Sequence, residues 1–133
     1  MHMNNTVKTF FAPQLYIRNG IKDITFYIDA FGAKELRRII NDDDTIHVAE
    51  LEIDGALFHL HEQTAGSPML NPDNAHGTTV KIGLFVEDVD EVVRQAMKAG
   101  ASEISPAQDY DYGYRQAQIL DPFGHCWMIE KKL

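Results

Sequence analysis

The feature that most constrains this chain is a spacing of 68 to 69 residues at which three landmarks recur in the same order. Asp54-Gly55 and Asp121-Pro122-Phe123-Gly124 are turn sequences, the second with Pro to preset φ and Gly to supply a positive φ. Strand-like runs flank each of them, Ile46–Ile53 and Ala56–His61 around the first, Gln116–Leu120 and Cys126–Ile129 around the second. A helix-like segment closing at Gly32-Ala33 recurs as one closing at Gly100-Ala101, and a strand ending Tyr16-Ile17 as one ending Phe85-Val86. Three ordered matches at one offset predict a duplicated unit of about half the chain.

The intervening residues fill the unit in. Phe10 to Ile17 reads as a strand, with Pro13 early in it. Asn19 is placed to cap a helix on which Ile21, Ile24, Tyr27, Ile28 and Phe31 fall at helical spacing. Glu35 to Ile40 is a short strand, and Asn41 to Asp44 a turn. Gln63 to Gly77, with its prolines and glycines, is a linker. Thr78–Val86 is the next strand, and Asp88 with Glu91 a capping box for a helix carrying Val89, Val92, Val93, Ala96 and Met97. Ser102–Ile104 is a short strand and Asp109 to Gly113 a loop. The class is α+β: two tandem βαβββ modules, about 9–62 and 78–131, forming a curved, mainly antiparallel sheet with helices on the convex face. One domain, 4–133, is expected, behind a cloning remnant around Met1-His2-Met3.

Alternation along each strand sorts the two faces. Phe58, Leu60, Ala117, Ile119, Trp127, Ile129 and the even positions from Val80 to Val86 should pack under the helices. Tyr16, His59, His61, Lys81, Phe85, Gln118 and Met128 then share the opposite face, where polar groups mixed with Phe and Met suit a concave ligand groove. A wet sheet face is the plainer alternative. The net charge of −8 argues against nucleic acid and anionic membrane as partners. A single cysteine, Cys126, excludes an internal disulfide and fits a reducing cytoplasm. No apolar run approaches bilayer length and no signal peptide is visible.

The layout and the segments Phe26-Tyr27, Ala30-Phe31-Gly32-Ala33, Ile46 to Leu51, Phe85 to Asp90, Gly113-Tyr114-Arg115 and Asp121 to Trp127 resemble the vicinal oxygen chelate superfamily, and within it the PhnB-like group. That superfamily includes glyoxalase I, bleomycin-resistance proteins and extradiol dioxygenases. The resemblance covers residues 9 to 131. It implies a small-molecule ligand and a homodimer with grooves partly formed at the subunit contact.

The resemblance also implies four metal-ligand positions, which fall here on Ala12, His59, Lys81 and Met128. Only His59 among them is an ordinary ligand for a borderline divalent cation. A register shift of two would bring in Gln14, His61 or Glu130, and His47 on the adjacent strand is a third imidazole. His59, His61 and Glu130 are therefore the residual metal candidates, against a reading in which the histidines hydrogen-bond a ligand or water.

Lys81 would hold an anionic group or pair with Glu130 or Glu50. Arg115, an arginine that the resembling group shares, would meet a ligand at the groove mouth or fork onto a loop carbonyl. Tyr110, Tyr112 and Tyr114 would stack on a planar ligand or cover a dimer seam. Cys126 has no adjacent base, His125 braces its turn, and Trp127 reads as core. The leading expectation is a binding protein without the full metal site or other cofactor. A metal-assisted or metal-free enzyme and a protein-interaction module are the rivals, with glyoxalase I activity disfavoured by the lost ligands.

Overall fold

A computed structural model describes residues 8–133; the expected remnant at Met1-His2-Met3 and the first residues of the expected domain, 4–7, lie outside the described residues. The strands are β1 (Gln14–Ile17), β2 (Lys34–Ile40), β3 (Ile46–Ile53), β4 (Ala56–Glu62), β5 (Lys81–Phe85), β6 (Ser102–Tyr110), β7 (Tyr114–Leu120) and β8 (Cys126–Lys132). The helices are α1 (Phe26–Phe31), α2 (Pro72–Ala75) and α3 (Val89–Ala99). The duplication is plain in the pairing: one sheet runs β1-β4-β3-β2 and the other β5-β8-β7-β6. In each, the first strand lies parallel to the last and the other pairs are antiparallel. The hydrogen-bonded ladder does not continue from one half to the other, so the expected curved sheet is two four-stranded sheets.

Local chemistry accounts for most boundaries and for the departures. Gly32, at φ 67°, closes α1 in the left-handed conformation as its sequence requires. The helix begins later than Asn19, however. The Asn19 amide is drawn across to Glu62 Oε2 (3.1 Å) and the Gln63 carbonyl (2.8 Å), and Asp23 instead accepts from the Thr25 amide and hydroxyl at 2.9 and 2.6 Å. Only half of the capping box at α3 forms. Asp88 accepts from the Glu91 amide at 3.1 Å, while the Glu91 carboxylate pairs with Arg94. Val80 precedes β5 and is 64% exposed, which removes it from the expected buried row. β6 continues to Tyr110 rather than stopping at Ile104, because the sheet absorbs Pro106 in the stretch where the register with β7 shifts. The linker contains α2, capped by Asn71, whose side chain accepts from the Asp73 and Asn74 amides.

The two halves share one core on the helix side. Tyr27, from α1, lies 5.9 Å from Trp127 and 5.3 Å from Phe58 between ring centroids, and Phe31 lies 4.8 Å from Trp127. Burial of such rings is a large apolar gain that neither module makes alone. The polar ends of this cluster meet on Asp121, whose Oδ2 accepts from the Tyr27 hydroxyl at 2.6 Å and Trp127 Nε1 at 3.0 Å. Desolvation, then the Asp121 charge and hydrogen bond, push the Tyr27 hydroxyl pKa well above the usual phenol value. His125 ties the halves a second time, with Nε2 donating to the Tyr16 carbonyl at 2.7 Å. Its ring thus reaches β1, while its amide, donating to Asp121 Oδ1 at 3.0 Å, braces its own turn.

Candidate functional site

With the apolar rows committed to the core, the alternate residues are left on the open face of each sheet. In the first sheet, parallel pairing sets Gln14 beside His59 and Tyr16 beside His61. Gln14 Oε1 accepts from His59 Nδ1 at 3.1 Å and also from His61 Nε2. The Tyr16 ring stacks on His61 with centroids 5.5 Å apart, and His59 and His61 are 5.7 Å apart. One amide oxygen thus collects both imidazoles, which leaves His59 Nε2 and His61 Nδ1 as the ring nitrogens not spent within the cluster. Gln14 completes this arrangement. Sequence reasoning reached it only as a shifted-register metal ligand, because the parallel β1–β4 register is a tertiary fact.

His47 is set apart from that pair. The β2–β3 ladder passes over it between Ile39–Val48 and Ile40–Ile46, a bulge that frees its ring to reach Glu62 Oε1 at 2.9 Å. Burial pushes the Glu62 carboxyl up, but hydrogen bonds from His47, Asn19 and Asn41 outweigh it and hold its pKa below the usual value. His61 is pushed the other way from a cation: burial first, then the charges of His59 and His47, lower its pKa below 6.5.

A depressed histidine favours the folded state only while neutral. That contribution is full above pH 6.5 and is lost as pH falls through the lower folded value. The melting temperature should therefore drop between pH 7.5 and 5, on the order of the histidine range, and less steeply in His61→Gln. An NMR titration that placed His61 at or above 6.5 would contradict this.

In the second sheet the open face holds Lys81, Gly83 and Phe85 on β5, Gln116 and Gln118 on β7, and Met128 and Glu130 on β8. Glu130 is buried, with Oε1 accepting from Gln116 Nε2 at 2.8 Å, and Gln116 Oε1 accepts from the Tyr112 hydroxyl. Phe85 lies edge-on to Tyr114 with centroids 6.3 Å apart, and Tyr112 stacks on Tyr110 at 5.3 Å. Gln118 faces Met128 across the ladder and accepts from the Cys126 thiol at 3.8 Å. Burial raises the Cys126 thiol pKa, and Lys81 only partly offsets it, which suits an inert thiol rather than a nucleophile.

Arg115 does not join this face. Its guanidinium is bidentate to Asp90 in the first turn of α3 (3.0 and 2.8 Å) and reaches Asp109 at 2.9 Å, bonds that raise its pKa further. The expectation at the groove mouth is corrected accordingly: alternation with buried Ala117 and Ile119 turns it toward the helix side.

Between the sheets, β1 and the start of β5 border a cavity of about 490 Å³ whose walls include Gln14, Tyr16, Lys81 and His125. Phe11, Met69 and Leu70 form its apolar side, and the volume is in the range of small-molecule sites. The residues present do not fit the metal centre that the resemblance implies. Ala12 has no donor, Lys81 is an exposed ammonium and Met128 a thioether, so His59, through its unspent Nε2, is the one ordinary donor of the four. Among the described residues no three His, Cys, Asp or Glu side chains converge.

Known proteins resemble the chain over most of its length. Residues 13–129 match the family model described as the Glyoxalase/Bleomycin resistance protein/Dioxygenase superfamily. An uncharacterized protein of Mycobacterium bovis is 34% identical over 126 residues, spanning 92% of this chain and 83% of that protein. A gene product of Arabidopsis thaliana superposes with a TM-score of 0.72 at 25% identity, over 94% of this chain and all (100%) of that one. TioX from Micromonospora sp. ML1 does so with 0.67 at 25% identity, over 93% and 100%.

Proposed function

The chain belongs to the glyoxalase/bleomycin resistance protein/dioxygenase superfamily, and from that premise we propose that it is a small-molecule-binding protein that works without the metal centre of the superfamily's enzymes. The observation that carries this reading is the open face itself. Gln14, Tyr16, His59 and His61 are mutually oriented, the first two line a cavity of about 490 Å³, and no ligand set converges among the described residues. Such a wall needs only shape and polarity to select a ligand, whereas glyoxalase chemistry needs a Lewis acid to hold an enediolate. The affinity to the PhnB-like group, a homodimer that completes each groove, and a cytoplasmic location belong to the same proposal. No helix among the described residues is long and apolar enough to cross a membrane.

The test is a fragment screen read by amide chemical shifts on the whole protein, with and without Zn or Ni. Hits should perturb β1, β4, β5 and β8, and Tyr16→Ala should weaken those beside the cavity by about tenfold, the scale of one aromatic contact. Binding that requires stoichiometric metal, lost in His59→Ala, would instead establish a metal-assisted enzyme. Perturbations confined to the helix side would end the reading.

A further inference from the structure

Glu130 is the buried charge that the fold leaves half-satisfied. It is 8% exposed, and its Oε1 is engaged by Gln116. Its Oε2 lies 2.6 Å from the position a Cβ on Gly83 would take, with Phe85 Cε1 3.9 Å from the same point. Glycine at 83 is thus what gives this oxygen its room. Among the described residues no side chain donates to Oε2 and no lysine or arginine pairs with Glu130. Lys131, the next residue, spends its ammonium on the Glu87 carbonyl at 3.1 Å. Among the described residues no side-chain polar atom is sealed in without a partner, so Oε2 reaches the surface.

Around that oxygen stand aromatic rings rather than further ligands. Phe85 and Tyr112 are 57% and 60% exposed, far more than large aromatic side chains usually are, and Tyr114 lies between them at 6.3 and 5.8 Å. The hydrogen-bond chain from Tyr112 through Gln116 ends on Glu130 Oε1, which leaves Oε2 as the oxygen open to a ligand. One carboxylate with an amide and phenols offers too few oxygens for Ca or Mg, whereas a carboxylate beside aromatic faces matches an organic ammonium. The net charge of −8 would draw such a ligand in.

We propose that the surface at Glu130 Oε2, where the carboxylate lies over Gly83, is a subsite for an organic cation, with the ammonium on Oε2 and its apolar substituent against Phe85, Tyr112 and Tyr114. This rests on the reading of the open faces as small-molecule sites and names the ligand class for the second of them.

The test compares phenethylamine, phenethyl alcohol and phenylacetate by amide-shift titration of the full chain. The amine should perturb Gly83, Phe85, Tyr114, Gln116 and Glu130 and bind at least about tenfold tighter than the alcohol, the difference a desolvated charge-assisted contact supplies. Glu130→Gln, which keeps the shape, should abolish that preference. Should it fail to fold, Gly83→Ala serves. Its φ is not in the left-handed range, and the methyl would displace the carboxylate. Equal binding of amine and alcohol, or a preference that survives both variants, would overturn the cation subsite. If these probes leave the second sheet unperturbed while other fragments occupy the Tyr16 wall, the subsite falls and the small-molecule reading stands. If nothing perturbs either open face, both fall.

Discussion

Replacing Asp121 by Ala should cost about 4 kcal/mol of folding stability, the scale of stranding buried partners by removing the group they share. The residue is 4% exposed and its two oxygens serve four donors. Oδ1 accepts from the Phe123 and His125 amides at 2.9 and 3.0 Å and so fixes the turn. Oδ2 accepts from Tyr27 and Trp127, side chains that are 0% and 2% exposed. Alanine leaves all four donors facing a small void, in a place where the two modules meet. Guanidinium unfolding should show the midpoint fall with little change in slope. Asp121→Asn keeps one acceptor but turns an NH₂ toward one pair of donors, and should lose roughly half as much. A loss under about 1 kcal/mol for alanine would mean that water replaces the carboxylate and that the tie carries little weight.

That residue also shows what the sequence made legible. Asp121-Pro122-Phe123-Gly124 announces a turn through local chemistry alone, and the 69-residue echo at Gly55 announces the repeat. Burial alternation in β4 and β7 follows the residue pattern, because a strand whose one face is buried has only one register that keeps Phe58, Leu60, Ala117 and Ile119 dry; in β8 Trp127 and Ile129 are dry as expected, but Cys126 and Glu130 on the other face are buried as well. The same logic put His59, His61, Lys81, Phe85, Gln118 and Met128 on the open faces.

The misses that bear on the site have a common physical source, a partner distant along the chain. Asn19 has a helix-capping side chain, but Glu62 and Gln63, more than 40 residues on, compete for it successfully. Arg115 has the guanidinium for anion recognition, and Asp90 on α3 claims it first. Gln14 meets two histidines only through the β1–β4 pairing, and Glu130 gains its character from a missing side chain at Gly83 on the neighbouring strand. Alternation identifies a face; it does not say which residues on that face are already occupied.

The repeat itself supplies a second large effect, because its two turn glycines stand in different surroundings. Gly55 and Gly124 have nearly the same φ, 87° and 90°, so an L side chain is strained by a similar amount at either, about 1–2 kcal/mol. A Cβ on Gly55 would meet nothing within 4 Å. One on Gly124 would lie 2.8 Å from Pro72 Cβ and 3.4 Å from its Cγ, since α2 in the linker sits over the second turn. Pro72 is buried at the first turn of α2 and is not the far end of a flexible chain, so it yields only if α2 moves. Gly124→Ala should therefore cost about 3 kcal/mol, against about 1 for Gly55→Ala, once overpacking is added to the shared backbone strain. In a double-mutant cycle Pro72→Gly should recover the difference but leave the strain behind. Equal losses at the two turns, with no coupling to Pro72, would show that α2 does not rest on the hairpin, and that the linker is free where the structure has it docked.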